Sequence, residues 1–229
     1  MRIIGLIGGV SWHSTLDYYR IINEEVNRRL GGIHSAKILL YSLDLGEIKE
    51  LQNQGRREDV EKILVDAAKK LERGGADFGL ICANTLHMYF DAISRSVSIP
   101  FIHIADATAE KIREVGLKRV GLLGTLPTME LGFYRDRLAE HGIEVIVPSR
   151  EDRVEVDRII FEELVVGKFL ETSKKRLVDI IDRLVEMGAE GVILGCTELP
   201  LILRNAEVDI PLFDTTRIHA LKAVELSLG

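Results

Sequence analysis

The chain repeats part of its own sequence, and this repeat limits its possible folds more than any other feature. Residues 75–85 (GADFGLICANT) match residues 188–198 (GAEGVILGCTE), 113 positions later. Two further matches occur in the same order, at offsets of 116 and 111: 4–9 with 120–125, and 99–100 with 210–211. Any α/β protein repeats the order helix, glycine and strand, and this repetition alone can produce similar matches. Three ordered offsets within a few residues of each other favour a duplicated half.

Apolar runs rich in β-branched residues alternate with longer amphipathic stretches. We predict strands in eight runs: 2–7, 36–42, 78–83, 101–104, 120–124, 144–147, 191–196 and 212–213. Stretches 58–73 and 172–187 repeat apolar residues with helical period and predict covering helices. Near-continuous apolar strands are typical of parallel sheets buried on both faces. The pattern therefore predicts an α/β protein.

The repeat and the strand pattern together predict two pseudo-symmetric domains, each a small parallel sheet flanked by helices. We place the first domain at 1–103 plus 212–229 and the second at 104–211. Ligands of open α/β sheets bind at the carboxyl ends of the strands. We therefore expect an active-site cleft between the domains.

Composition excludes several classes of function. The 229 residues are 46% hydrophobic, yet no apolar run reaches the roughly 18 residues of a membrane helix, so we expect a cytoplasmic protein without a membrane partner. Two cysteines and six histidines show no metal-binding spacing, so we expect no metal. The net charge of −6 and the scattered basic residues argue against nucleic acid as a partner.

Small and hydroxyl-bearing residues mark four predicted strand ends: 8–11, 83–85, 124–125 and 196–198. Backbone N–H groups exposed where a strand gives way to a helix bind anions, so the pattern predicts a carboxylate or phosphate ligand. The glycines at 5, 8 and 9 do not form the dinucleotide fingerprint, which disfavours a nucleotide. Asp44, after the second strand, keeps that alternative open.

Cys196 closes a buried strand and precedes a predicted helix. The positive end of that helix is expected to lower the pKa of the thiol, which would make Cys196 a reactive thiolate. The alternative is an inert core cysteine, which is the commoner role of a free thiol.

Several short segments resemble the aspartate/glutamate racemase family: 8–12 (GGVSW), 84–87 (NTLH), 103–108 (HIADAT), 124–125 with 128–129, 195–198 (GCTE) and 214–219 (DTTRIH). The resemblance covers essentially the whole chain. It implies a racemase that needs no cofactor and is usually a homodimer, with a small acidic amino acid held between two α/β domains. The branch that it resembles most contains the bacterial broad or L-specific aspartate/glutamate racemases.

Racemisation without pyridoxal phosphate needs one group to remove the α-proton and another to return a proton to the opposite face. In the family these groups are two cysteines, or a threonine and a cysteine, at symmetric strand ends. Cys196 matches the second position, but Ala83 stands at the first and cannot exchange a proton. Cys82 is one residue early, and strand alternation predicts that its side chain points into the core, so it is the less favoured second base.

The resemblance also implies a set of substrate contacts: Val10, Ser11, Gln52, Asn84, Thr85, Thr125 and Thr197. Lys168 could hold a side-chain carboxylate. Glu198 and His87 could orient or deprotonate the reacting groups, or cap a helix. Two alternatives to a racemase stay open. One is a one-thiol decarboxylase or isomerase of the same superfamily, which Ala83 favours, and the other is a non-catalytic binder of acidic amino acids.

Overall fold

A computed structural model describes all residues from Met1 to Gly229. The chain forms two compact units, which we call unit 1 and unit 2. Unit 1 comprises Met1–Ile104 with His219–Gly229, and unit 2 comprises Ala105–Ile218. Each unit contains a parallel sheet flanked by helices, which confirms the predicted fold class.

Unit 1 is built on a three-stranded sheet in the order β2-β1-β3, with both strand pairs parallel. Its strands are β1 (Ile4–Gly8), β2 (Ile38–Ser42) and β3 (Phe78–Ile81). Its helices are α1 (Trp12–Leu30), α2 (Leu45–Asn53), α3 (Arg57–Arg73) and α4 (Phe90–Ser96), with a short 3₁₀ helix at Thr85–Tyr89. Helix α5 (Ile104–Glu114) begins at the last residue of the first segment of unit 1.

The two faces of the unit 1 sheet have separate apolar cores. One contains Ile7, Ile81 and the inner side of α3, including Leu64. The other contains Leu6 and Tyr18, together with residues of the C-terminal helix. Burial of both faces explains why these strands are continuous apolar runs rather than alternating ones.

Unit 2 is built on a four-stranded parallel sheet in the order β5-β4-β6-β7. Its strands are β4 (Arg119–Gly124), β5 (Glu144–Ile146), β6 (Val192–Gly195) and β7 (Leu212–Asp214). Its helices are α6 (Leu126–Glu130), α7 (Gly132–Glu140), α8 (Arg150–Glu162), α9 (Glu171–Glu186) and α10 (Leu199–Leu203), with a 3₁₀ helix at Leu164–Val166. Helix α11 (Thr215–Leu228) begins in unit 2 and ends in unit 1.

Corresponding backbone hydrogen bonds in the two units match the internal repeat. The amide of Gly79 donates to the carbonyl of Pro100 at 2.9 Å, and the amide of Val192 donates to that of Pro211 at 2.9 Å. These donors are 113 positions apart and these acceptors 111, which are two of the offsets found in the sequence. The repeat therefore corresponds to a duplicated structural unit.

The predicted strand at 101–104 is reduced to one bridge, between Phe101 and Gly79. The backbone beyond this bridge leaves the sheet, because the carbonyl of Ile102 and the amide of Ile104 hydrogen-bond to histidine rings. Ile104 already belongs to α5. The strand prediction was therefore wrong at 102–104, where the apolar side chains alone gave no sign of these partners.

The structure divides the segment 212–229, which the sequence pattern assigned to the first domain. Strand β7 pairs with β6 through Val192 and Leu212, so residues 212–218 lie in unit 2. Only 219–229 lie in unit 1. Backbone pairing in the sheet, rather than proximity to the C-terminus, determines this division.

No helix of the protein combines the length and the apolar character needed to cross a membrane.

Candidate functional site

Strand register makes Ala83 the structural counterpart of Cys196. Strand β1 pairs Ile7 with Ile81, and β4 pairs Leu123 with Leu194. The internal repeat relates Ile7 to Leu123 and Ile81 to Leu194. Ala83 lies two residues after Ile81, and Cys196 lies two residues after Leu194. The sheets thus support the equivalence first seen in the sequence, without reference to any other protein.

Cys82 and Ala83 belong to opposite faces of the unit 1 sheet. Ala83 lies in the core cluster that contains Ile81, whereas Cys82 lies in the cluster that contains Tyr18. Cys82 is fully buried, and this burial raises the pKa of its thiol far above the ordinary value. A buried thiol without a charged partner is a poor proton carrier.

Cys196 lies in a short polar chain at the end of β6. Its Sγ donates a hydrogen bond to Oε2 of Glu198 at 3.1 Å, and Thr197 Oγ1 donates to the same oxygen at 2.6 Å. Glu198 is only 5% exposed, so two neighbouring side chains solvate its carboxylate in place of water. The arrangement gives the thiol an acceptor for its proton.

The expected lowering of the Cys196 pKa was wrong in direction. Burial raises the pKa of this thiol well above its ordinary value, and the negative charge of Glu198 raises it further. Helix α10 spans only Leu199–Leu203, and its start does not offset these two effects. At neutral pH Cys196 is therefore a protonated thiol that donates a hydrogen bond, rather than a free thiolate.

A sharp turn ends β1 and begins α1. Gly9 has a φ of 88°, and its amide donates to Thr15 Oγ1 at 2.8 Å. Thr15 Oγ1 in turn donates to the carbonyl of Ser11, the residue that precedes the helix, at 3.1 Å. Val10, which lies between Gly9 and Ser11 in the chain, is buried. The backbone of this predicted site segment is thus held by the side chain of Thr15 in α1.

We predict that Gly9→Ala destabilises the protein by about 2–4 kcal/mol. A Cβ at this position would overlap the carbonyl oxygen of Leu43, and the positive φ is unfavourable for any residue with a side chain. Urea unfolding measures the change. Gly55→Ala is the control, because Gly55 also has a positive φ, 71°, but nothing lies within 4 Å of its added Cβ. Equal losses in both variants would contradict the importance of the Leu43 contact.

The other predicted contacts of unit 1 lie around the 3₁₀ helix after β3. Asn84 is buried and Thr85 is half-buried at the start of this helix. Gln52 lies near the end of α2. Burial raises the pKa of the Tyr89 hydroxyl, and the side chain of Gln52 lies close enough to that hydroxyl to lower this pKa in part. Tyr89 was not predicted from the sequence, because only the fold brings it to Gln52.

Asp44, which kept a nucleotide ligand open as an alternative, has a structural role. Its Oδ1 accepts the amide of Gly46 at 2.8 Å and so caps α2. Capping by an aspartate is common at the beginning of a helix. The helix cap therefore explains the carboxylate of Asp44, and no contact to the ribose of a nucleotide is needed to explain it.

The remaining predicted contacts of unit 2 occupy different surroundings. Thr125 is buried before α6, with its Oγ1 3.1 Å from that of Thr128. Lys168 is exposed and follows Gly167, whose φ of 78° ends a 3₁₀ helix. The amide of Lys168 donates to the carbonyl of Glu163 at 2.8 Å, which fixes the start of this loop and leaves the ammonium in solvent.

Two repeated α/β units, one with a thiol and a carboxylate at a central strand end, define a class of duplicated α/β proteins. Comparison with known families assigns the protein within this class. The chain belongs to the Asp/Glu/Hydantoin racemase family, whose model matches residues 7–223.

Individual relatives agree with this assignment. The chain is 29% identical over 172 residues to the broad specificity amino-acid racemase RacX of Bacillus subtilis (strain 168), covering 75% of this chain and 74% of the relative. A candidate Asp/Glu racemase from Yersinia pestis has a crystal structure with a TM-score of 0.94 at 48% identity, covering 100% of both chains. PH1733, an aspartate racemase homologue from Pyrococcus horikoshii OT3, gives 0.86 at 42% identity, also covering 100% of both.

The fold extends beyond the racemases. The structure of unliganded arylmalonate decarboxylase is similar with a TM-score of 0.54 at 18% identity, covering 100% of this chain and 94% of that one. This likeness shows a shared fold only.

Proposed function

We propose that the protein is an amino-acid racemase of the aspartate/glutamate type that uses Cys196 as an acid–base thiol and needs no pyridoxal phosphate. The observation that carries the proposal is the hydrogen bond from Cys196 Sγ to Glu198 at a strand end, in a chain of the Asp/Glu/Hydantoin racemase family. RacX supports an amino acid as the substrate. The resemblance of the sequence motifs to the aspartate/glutamate racemases supports an acidic one. On the same resemblance we extend the proposal to a homodimer, and we also propose that the protein acts in the cytoplasm.

The proposed chemistry begins with the resting hydrogen bond. Glu198 accepts the proton of Cys196, and the resulting thiolate removes the α-proton of the amino acid. Because the pKa of the thiol is raised, the thiolate is a strong base once it forms. The carbanion then regains a proton either from Cys196, with retention, or from a second group on the opposite face, with inversion. Ala83, the counterpart of Cys196, supplies no such group.

A one-thiol reaction is the second candidate, and Ala83 is the observation that favours it. In decarboxylation of a malonate, loss of carbon dioxide leaves the carbanion, and the thiol of Cys196 needs only to donate one proton. This role matches the protonated state that burial and Glu198 impose. Arylmalonate decarboxylase shares the fold but gives no further support at its level of identity.

Incubation in D₂O separates these functions. L-aspartate, L-glutamate and their D forms are followed by the loss of the α-proton NMR signal and by chiral chromatography. Exchange with inversion is the result expected of a racemase with two working groups. Exchange with complete retention, the result expected of one thiol acting alone, would contradict racemisation and keep only the acid–base role of Cys196. Absence of exchange with all four amino acids would contradict the proposed function. Release of carbon dioxide from 2-substituted malonates would then favour the decarboxylase.

We predict that Lys168→Met weakens binding of aspartate and glutamate by about tenfold or more, and that of alanine and serine much less. A charge-assisted hydrogen bond to the side-chain carboxylate is lost only with dicarboxylic ligands. Isothermal titration calorimetry measures the four affinities. Lys175→Met is the control, because Lys175 is an exposed lysine of α9 and its loss changes the net charge equally. Equal weakening for all four ligands would contradict the proposed contact.

A further inference from the structure

Three histidines pack together in the interior of unit 1. His87, His103 and His219 are each at most 5% exposed. The ring centroid of His87 lies 4.7 Å from that of His103 and 5.7 Å from that of His219. The sequence made His87 a candidate site residue but left its role open. Its hydrogen bonds in the structure indicate that role.

The two ring nitrogens of His87 have different partners. Nδ1 lies 2.8 Å from the carbonyl oxygen of Ala83, and Nε2 lies 3.2 Å from the amide nitrogen of Ile104. A carbonyl oxygen only accepts, so Nδ1 carries the hydrogen and donates it. The amide of Ile104 only donates, so Nε2 must be the unprotonated acceptor. These contacts assign the neutral Nδ1–H tautomer.

One of these partners lies just after β3, and the other lies in the segment that follows the bridge beside β3. Ala83 follows β3 by two residues, and Ile104 follows the bridge that Phe101 makes with Gly79 of β3. The ring of His87 therefore connects the segment after the carboxyl end of β3 to the start of α5. Ligands of α/β proteins bind at such ends, so small shifts there affect binding and chemistry directly.

The carbonyl that His87 holds belongs to the peptide bond between Ala83 and Asn84. Because a peptide is planar, fixing its carbonyl also fixes the direction of the Asn84 amide. Thr85 then begins the 3₁₀ helix. This hydrogen bond from a buried ring thus constrains the Ala83-Asn84-Thr85 segment, which carries two proposed substrate contacts and the proposed position of the first base.

We propose that His87 is a positioning residue, which acts on the reaction through the Ala83 carbonyl and the orientation of the Asn84 peptide. The role of this segment in catalysis rests on the proposed function, whereas the orientation of the segment does not. The contact to Ile104 contributes to stability but does not set the geometry of the 83–85 segment.

His219 provides a matched control. Its ring is fully buried, accepts the hydroxyl of Tyr18 at Nδ1 over 2.8 Å, and donates from Nε2 to the carbonyl of Ile102 over 3.1 Å. Like His87, it therefore hydrogen-bonds through both ring nitrogens. None of these bonds reaches Ala83. A loss of stability without misplacement of the 83–85 segment is therefore the result expected for His219→Asn.

Two conservative substitutions separate the two contacts of His87. The amide nitrogen of Asn overlaps Nδ1, so His87→Asn keeps a donor for the Ala83 carbonyl and loses the acceptor for Ile104. The amide of Gln overlaps Nε2, so His87→Gln keeps the Ile104 contact and loses the one to Ala83. We expect His87→Asn to retain α-proton exchange within about threefold, and His87→Gln to lower its kcat by about 10²-fold, as for a displacement of about 1 Å at a site.

The measurements are kcat and KM for α-proton exchange of aspartate in D₂O, thermal unfolding, and ¹H–¹⁵N spectra of the free protein. All three histidine variants are expected to lower the melting temperature, but only His87→Gln to shift the Asn84 and Thr85 amide signals strongly. Equal exchange rates in the Asn and Gln variants would overturn the proposal, as would a common loss that follows the melting temperature. If the wild type exchanges no α-proton, the proposed function fails, and the amide signals still test His87. Unshifted signals in His87→Gln would then overturn its positioning role.

Discussion

Cys196→Ser is expected to abolish α-proton exchange while the protein stays folded. Serine is nearly isosteric with cysteine, and it can still donate a hydrogen bond to Glu198 as Sγ does. Its hydroxyl is far too weakly acidic to give an anion comparable to the thiolate. Removal of a single well-placed acid–base group typically costs on the order of 10²- to 10⁴-fold in rate. NMR in D₂O with L- and D-aspartate measures the loss, and circular dichroism checks the fold.

The variant Glu198→Gln tests whether the thiol of Cys196 acts together with Glu198 or alone. In Glu198→Gln the negative charge beside Sγ is removed, so the pKa of Cys196 should fall, although burial still holds it above the ordinary value. Alkylation of Cys196 by iodoacetamide should therefore rise at a lower pH in this variant than in the wild type, because the thiolate forms at a lower pH. Exchange should nevertheless be slower, since the acceptor of the thiol proton is gone. Unchanged exchange in Cys196→Ser would remove Cys196 from the mechanism.

The repeat is the part of the structure that the sequence predicted best. Its offset made Ala83 the counterpart of Cys196, and strand register independently gives the same equivalence. Such information is local, because each strand and the residues at its end lie within a few positions of each other in the chain. The same strand pattern placed the two sheets and the helices that cover them.

Other features depended on contacts between distant parts of the chain. The strand expected at 101–104 ends early because His87 and His219 take the backbone groups of that segment, and His219 lies more than a hundred positions away. The pKa of Cys196 was expected to fall because a helix follows it, but the depth of burial and the position of the Glu198 carboxylate decide its direction. Neither burial depth nor side-chain orientation can be read from the motif GCTE alone.

Ala83→Cys is expected to create or strongly raise racemisation of aspartate or glutamate. The variant restores a thiol at the position that both the internal repeat and strand register pair with Cys196. A second acid–base group lets the carbanion be reprotonated on the face opposite the one that lost its proton. The expected gain in the rate of inversion is on the order of 10²- to 10⁴-fold over a background carried by water or a neighbouring hydroxyl. Chiral chromatography of products from pure L- and D-aspartate measures it.

Cys82→Ala is the matched control for the added thiol. Cys82 lies in the core cluster with Tyr18 and is fully buried, so its removal should cost some packing stability and leave exchange nearly unchanged. The double variant Cys82→Ala with Ala83→Cys should racemise like the single variant, because only the thiol at position 83 belongs to the face that corresponds to Cys196. If Cys82→Ala instead abolishes racemisation and Ala83→Cys gains none, Cys82 is the second base and the end of β3 is rotated relative to the end of β6.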